Sequence, residues 1–461
     1  MKILYYFLGL PPLHNGGLMI YARDLALEAK KLGHEVFLLM PGYYNFLSHR
    51  TYVKKIRDHL NLPTFAIINP LPFSTTGFKD PEHFFKSIHY HNFEEFLEEI
   101  SPDIIHVHSL IALPKEFLYA AKRKGIKIVY TTHDYYGLCP KVRLFDINSR
   151  PCEEYNNGNN CVLCNFNSPT IARLEILRNL NWIRATNKNI SSLVEIYRKV
   201  KKRVKNSQKS HCIEKPDDMS REYHQHHFRA HYFKKMREYY LEMLSIFDVI
   251  HFNSTVSEMI FKKFVDVRGV VINLTHRRII DNRRRTYLPI KDSYLNIGFL
   301  GNTSDRAKGF YLLLEAVEHL VEERNLKLKL HIWGYSSDDF QKDYVIYHGK
   351  YDHHDMENIF LNLDLLVFPS VWWETYGFVA LEALSYGVPC LISERTGITD
   401  VVKLINKNMI ITPSSKAISD AIYNLYKNPE TLIKYHEDIL RVSWIKEMKT
   451  HTLEIIEKFY K

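Results

Sequence analysis

Short apolar runs separated by amphipathic segments recur twice along the chain, and this alternation restricts the fold more than any single motif. Through about residue 135, "KILYYFLG", "HEVFLLMP", "DIIHVHS" and "IKIVYTTHD" alternate with "LMIYARDLALEAKKLG", "FEEFLEEISP" and "KEFLYAAKRKG". The apolar runs have strand length, and the segments between them repeat like helices buried on one face. Strand, helix, strand in succession implies a parallel, doubly wound sheet covered by helices. The pattern returns from about 294 with "YLNIGFLG", "YLLLEAVEHLVEE", "LKLKLHIWG", "YVIYHG", "DLLVFPS" and "PCLIS". Two α/β domains facing a cleft are therefore expected: 1–275, then 294–440, joined by "HRRIIDNRRRTYLPIKDS" at 276–293. The last segment, 441–461, reads as a helix packing back on the first domain.

A chain of 461 residues with 46% apolar content has ample material for two cores. The opening "MKILYYFLGLPPLHNGG" reads as a strand and loop rather than a signal peptide, and no run of 18 apolar residues occurs. A cytosolic protein is expected. The net charge of +10 favours an anionic partner such as a nucleotide, a nucleic acid or a lipid surface.

Four of the six cysteines are grouped, Cys139, Cys152, Cys161 and Cys164, ending in "CVLC". In a cytosolic chain such spacing suggests a structural tetrahedral zinc, with four reduced thiols in a loop as the alternative. Cys212 and Cys390 look unrelated. From about 165 to 245 the chain reads as a helical insertion rich in Lys, Arg, His and Tyr, densest in "RKVKKRVK" at 198–205. It suits an anionic membrane surface or simply a solvated face. His227 and His231 stand one helical turn apart, but an exposed basic helix accounts for them better than a metal pair.

Ligands of open parallel sheets sit beyond the carboxyl ends of the strands, where "GLPPLHNGG", "HVHS" and "TTHD" fall. There is no GxGxxG after the first strand, which weakens a dinucleotide reading. In "WWETYGFVALEALSYGVP", 372–389, Glu374 precedes a helix and Glu382 lies on it among apolar neighbours. A carboxylate there needs donors, and backbone N–H groups from about Tyr376 to Val379 lack helical partners and favour an anion. The carboxylates should stand roughly 10 Å apart at the helical rise, wider than the ~5 Å of a retaining glycosidase pair. Carboxylates accept hydroxyl groups and helix amides accept phosphate, a layout suited to a sugar nucleotide.

These residues resemble glycosyltransferase family four, retaining enzymes of the GT-B fold with two Rossmann-like domains. The likeness is strongest over 294–402, where "NIGFLGN", "KGFYLLLEAVEHL", "LHIWG" and the E-x7-E of Glu374 and Glu382 follow the family's order. The resemblance implies that Glu374 holds donor-sugar hydroxyls, that Thr375, Tyr376, Gly377 and Phe378 border the sugar and phosphate, and that Glu382 accepts from the ribose. Lys308 matches the family lysine on the diphosphate. Asn302 stands where the family has an arginine, with one extra residue before the lysine, so Arg306 is the candidate substitute. Gly16 and Gly17 resemble the family's glycine loop, and His133 a family histidine near the reacting centre. "HDYYGLCP" and the cysteines after it resemble a cysteine-bearing subset of the family.

The resemblance implies transfer from a nucleotide diphosphate sugar, UDP- or GDP-linked, to a glycan or lipid-linked acceptor, as in bacterial surface polysaccharide synthesis. No catalytic metal is expected. Peripheral association with the inner membrane face fits the basic insertion. The rivals are another GT-B-type enzyme, a sugar-nucleotide epimerase or a phosphorylase, and a zinc-stapled nucleic-acid-binding protein; nucleic acid is the less favoured partner.

Overall fold

The computed structural model describes residues 1–461 except 11–12, 15, 49, 86–88, 187–218, 291–292 and 337–339, and gives the backbone alone for 219–225. The "RKVKKRVK" run and Cys212 lie outside the described residues.

Two sheets form, as the alternation requires. The first contains β1 (Lys2–Tyr6), β2 (Glu35–Pro41), β3 (Arg50–Lys55), β4 (Thr64–Ile68), β5 (His89–Tyr90), β6 (Ile104–Val107), β7 (Lys127–Thr131), β8 (Val249–Phe252) and β9 (Gly269–Val271). Their order is β5-β3-β4-β2-β1-β6-β7-β8-β9. All pairings are parallel except β3 with β4, where Val53 faces Ile67. The second sheet contains β10 (Leu295–Leu300), β11 (Leu328–Trp333), β12 (Val345–Gly349), β13 (Leu365–Phe368), β14 (Cys390–Ser393) and β15 (Ile410–Ile411), in the order β12-β11-β10-β13-β14-β15, parallel throughout.

Strand order locates the ligand crevices. Among the parallel strands the order switches direction between β1 and β6 in the first sheet and between β10 and β13 in the second. Loops leaving such neighbours diverge to opposite faces and open a crevice at the carboxyl ends. The loops after β1, β6, β10 and β13 carry Gly16, His108, Lys308 and Glu374.

Central strands buried on both faces need continuous apolar sequence, and Ile3, Leu4, Tyr5 and Tyr6 of β1 are fully buried. The core of the second sheet runs without interruption into the first half, through Tyr21, Ala22 and Leu25 of the helix Gly17–Lys31 and through Phe459 and Tyr460. The helix Met448–Ile455 and the turn after it thus pack on the first half: Tyr21 Oη meets His451 Nε2 at 2.9 Å, and Tyr460 Oη lies 3.2 Å from Tyr5 Oη. The stretch 276–290 is irregular and is held to the second half, Arg283 donating to the Ile439 carbonyl at 2.7 Å and Arg284 to that of Leu363 at 2.7 Å.

Within the insertion, helices Ile171–Thr186 and Met219–Ile246 form. His227 and His231 are exposed as expected, yet Ala230, Phe233, Arg237, Tyr240 and Leu244 repeat at three- and four-residue steps and are buried. The second helix is therefore part of the first core rather than a solvated rod.

The structure lends the zinc expectation no support. Among the described residues no group of three or more His, Cys, Asp or Glu side chains is placed to hold a metal, and this covers all four cysteines. Cys139, Cys152 and Cys161 instead lean on the first core as partly buried thiols. Burial, and then the neighbouring cysteines, push the Cys152 thiol up to about 11 and raise Cys161 further. Thiols packed against an apolar core account for the local structure.

Candidate functional site

The turn after β10 brings Lys308 to the cleft. Asp305 caps it, its Oδ1 accepting from Ala307 N at 3.2 Å, and Arg306–Lys308 form one tight turn. Lys308 Nζ then meets Glu374 Oε1 at 2.6 Å, while the Ser370 hydroxyl donates to Glu374 Oε2 at 2.5 Å. Both carboxylate oxygens are held before any ligand arrives. Lys308 Nζ also lies 5.9 Å from the centroid of the Trp372 ring.

After Glu374 the backbone turns sharply into the helix Phe378–Ser385. Gly377 at φ 131° makes that turn, in a region that side-chain-bearing residues avoid. Thr375 and Tyr376 are buried, and their side chains serve the other half: Thr375 Oγ1 donates to the His133 carbonyl at 2.8 Å and Tyr376 Oη to that of Leu274 at 2.6 Å. Ser254 Oγ donates in turn to the Thr375 carbonyl at 2.6 Å. What this segment offers a ligand is its backbone N–H groups at the helix start, which have no intrahelical acceptor.

Glu382, one face along that helix, keeps 14% of its side chain exposed and faces His276 Nε2 at 3.4 Å. Among the described residues no arginine pairs with it; His276, in the connecting stretch, is its near neighbour instead. Tyr351 and His353 lie close enough to feel its charge. Burial and then Arg278 lower the pKa of His353, whose buried Nδ1 has no hydrogen-bond partner.

The first half meets this lip with glycine and imidazole. A Cβ on Gly17 would stand 2.8 Å from a ring carbon of Phe378, so the glycine loop and the start of the opposite helix touch, and any larger residue would force them apart. His133, on the loop after β7, is half-buried, and burial followed by His251 pushes its pKa down to about 3. Its Nε2 lies 3.2 Å from His108 Nδ1. A neutral imidazole carries one N–H, so one ring of this pair donates and the other accepts. Behind them, His106 bridges Tyr460 Oη at 2.6 Å and Thr131 Oγ1 at 2.7 Å, and Thr131 Oγ1 meets His251 Nδ1 at 2.9 Å. His251 Nε2 donates to the Ile272 carbonyl at 2.8 Å. Beside His133, burial raises the Asp134 carboxyl to about 6 against the lowering effect of the Tyr136 N–H it accepts.

The structure thus assembles Lys308, Glu374, the 375–378 backbone, Gly17 and His133 around one cleft, with Glu382 farther along the same helix. Arg306 is exposed and lies over the Tyr311 ring at 4.6 Å. Sequence reading missed Ser370, His108, His276, Tyr351 and Arg143. His108 precedes the serine of "HVHS", a loop already flagged as crevice-forming, and Ser370 ends the strand run "DLLVFPS", so their position at strand ends was the available signal.

Residues 295–428 match the family model described as glycosyl transferases group 1, and residues 15–162 match that of glycosyltransferase family 4. Among curated proteins, an uncharacterized 41.2 kDa protein of the cps region of Klebsiella pneumoniae is 32% identical over 117 residues, 24% of this chain and 31% of that protein. An uncharacterized glycosyltransferase of Methanocaldococcus jannaschii is 28% identical over 140 residues, 29% of this chain and 35% of its own. The chain spans about a third of the length of these relatives. Among solved structures, WaaG, a glycosyltransferase involved in lipopolysaccharide biosynthesis, superposes with a TM-score of 0.55 at 12% identity, covering 99% of both chains. Anabaena HepE in complex with UDP and glucose gives 0.54 at 13%, over 99% of this chain and 98% of its own. These likenesses extend the fold over the whole chain.

Proposed function

Because the chain belongs to glycosyltransferase family four, we propose that it moves a sugar from a nucleotide diphosphate donor to a glycan or lipid-linked acceptor, with retention at the anomeric carbon. One observation carries the reading: a lysine, a doubly held carboxylate and free helix amides converge at the carboxyl end of β13, opposite His133. A lysine and backbone N–H groups suit a diphosphate, and Glu374 suits the hydroxyls of the sugar next to it. Glu382 lies where a ribose diol would reach it, with Tyr351 and His353 nearby for the base. That a solved structure of this fold is described with UDP and glucose supports a donor of that class.

In this reading the stretch 276–293 joins an acceptor-side domain to a donor-side domain. The Lys308–Glu374 pair opens as the donor enters, freeing the ammonium for phosphate and the carboxylate for sugar hydroxyls. No carboxylate is assigned as a nucleophile. The acceptor hydroxyl attacks from the face the diphosphate leaves, and positioning together with leaving-group stabilisation supplies most of the rate. Neutral His133 offers a hydrogen bond without adding charge. No helix among the described residues is long and apolar enough to cross a membrane, and the basic insertion favours an acceptor presented at an anionic membrane surface. A role in bacterial surface polysaccharide assembly is consistent with this.

The test is thermal stability of wild type and Glu382→Ala against a panel of UDP-, GDP- and ADP-sugars. One donor should raise the wild-type midpoint by several degrees and leave the variant unmoved. A wild type indifferent to every donor, or an equal shift in the variant, would refute the ribose assignment.

A further inference from the structure

A donor diphosphate already carries about two negative charges and gains a further one as the anomeric C–O bond breaks, and Lys308 alone cannot balance them. Arg306, the sequence candidate for a second cation, lies over Tyr311. Another guanidinium reaches the same turn from the opposite half. Arg143 extends from the cysteine-bearing loop of the first half and pairs with Asp305 Oδ2 at 2.5 Å, three residues before Lys308. It also stands 5.7 Å from the centroid of the Trp372 ring, the ring that Lys308 approaches at 5.9 Å. Trp372 Nε1 is buried there without a hydrogen-bond partner. Two cations from opposite halves thus flank one indole at the mouth of the site. Arg143 keeps 39% of its side chain exposed, so it has room to swing, while Asp305 is fixed by the turn it caps.

We propose that Arg143 leaves Asp305 when the donor binds and takes oxygens of its diphosphate, so that the leaving group is held from both halves at once. This rests on the donor reading above. As the anomeric C–O bond breaks, its electron pair stays on the phosphate oxygen; the acceptor oxygen forms the new bond to carbon and its proton passes to that phosphate oxygen. Lys308 supplies a point charge to this group and Arg143 a planar fork that matches two phosphate oxygens. Asp305 is the resting partner that keeps Arg143 at the mouth while the site is empty. The ion pair between the halves is then exchanged for a shared anion.

Calorimetric titration with UDP, UMP and uridine, and with GDP, GMP and guanosine, tests this in wild type, Arg143→Gln, Arg143→Lys and Asp305→Asn. Arg143→Gln should weaken the preferred diphosphate by about tenfold or more while leaving monophosphate and nucleoside within about twofold. Arg143→Lys should recover part of the loss, and Asp305→Asn, which removes the competitor, should bind the diphosphate as well as wild type or better. Equal loss for all three ligands would make Arg143 a structural tie between the halves and overturn the proposal, as would no loss at all. A wild type that binds neither diphosphate would overturn the donor reading with it, an outcome distinct from a wild type that binds while Arg143→Gln binds equally.

Discussion

The two lips of the cleft use opposite chemistry. The lip from the second sheet is charged: Lys308, Glu374 and Glu382 stand at its edge, partnered by Ser370, His276 and one another. Arg143 at the mouth aside, the lip from the first sheet is neutral: His133 and His108 are imidazoles held below their usual range, backed by His106, His251, His451, Tyr5 and Tyr460, all buried. A charged lip binds an anionic, polyhydroxylated donor strongly and pre-orders it. A neutral lip discriminates through hydrogen-bond direction, and its cost falls on the fold, because every ring must find a partner without water. The contrast separates the residues that set affinity from those that set geometry.

The largest effect should come from the charged lip. Lys308→Ala is expected to lower kcat/KM by a factor on the order of 10²–10³, with the unfolding midpoint nearly unchanged because the ammonium is part-exposed; steady-state kinetics beside thermal unfolding measures both. A drop in stability as large as the drop in rate would erase the distinction between the lips. The neutral lip should instead show itself in pH. Burial first, then neighbouring charges or imidazoles, hold His133 at about 3 and keep His106, His108 and His451 below the usual imidazole range; His251 is held at about 4 by burial and Lys446 against the hydrogen bond to Ile272. Below about pH 6.5 the unfolded chain takes up protons that the native rings refuse, so stability present at neutral pH is lost as pH falls. Asp134, raised to about 6, works the other way between about 4 and 6, where the native carboxyl keeps a proton that the unfolded one releases. One carboxyl against five histidines leaves the loss dominant. Calorimetric midpoints should drop by roughly 5 °C or more from pH 7.5 to 5; a flat profile would mean the rings are not neutral in the fold.

The smallest effect sharpens the comparison most. Tyr460→Phe removes one hydroxyl from between His106 and Tyr5, and should cost about 1–2 kcal/mol by denaturant unfolding while leaving donor affinity unchanged. A changed donor affinity would mean that the neutral lip transmits its packing to the charged one.

This asymmetry also decides what could be read in the sequence. The sheets were legible because buried parallel strands write continuous apolar runs, Glu374 and Glu382 because a carboxylate beside or inside an apolar run demands an explanation, and Lys308 only through the family resemblance. His133 stood out only by its place at a strand end. His108 did not, since neutrality and a 3.2 Å partner 25 residues away leave no mark on composition. Ser370 and Arg143 were hidden for the same reason: a hydroxyl after "FP" and an arginine in a polar loop are ordinary until the fold brings them to Glu374 and Asp305. Spacing alone does not decide the cysteines, because a pattern that suits a metal also suits thiols packed on a core. Thr375 and Tyr376 lie at the site as expected, but the demand for their side chains comes from the opposite half.

His106 waits for a hydroxyl that lies 354 positions later in the chain. A ribosome that has finished the first sheet has therefore not yet made the group that seals it, and the nascent half must leave the exit tunnel with its histidine cluster open to water. The two halves cannot be exchanged between relatives by cutting at the connecting stretch alone; a chimera must bring its last helix from the parent that gave the first strand.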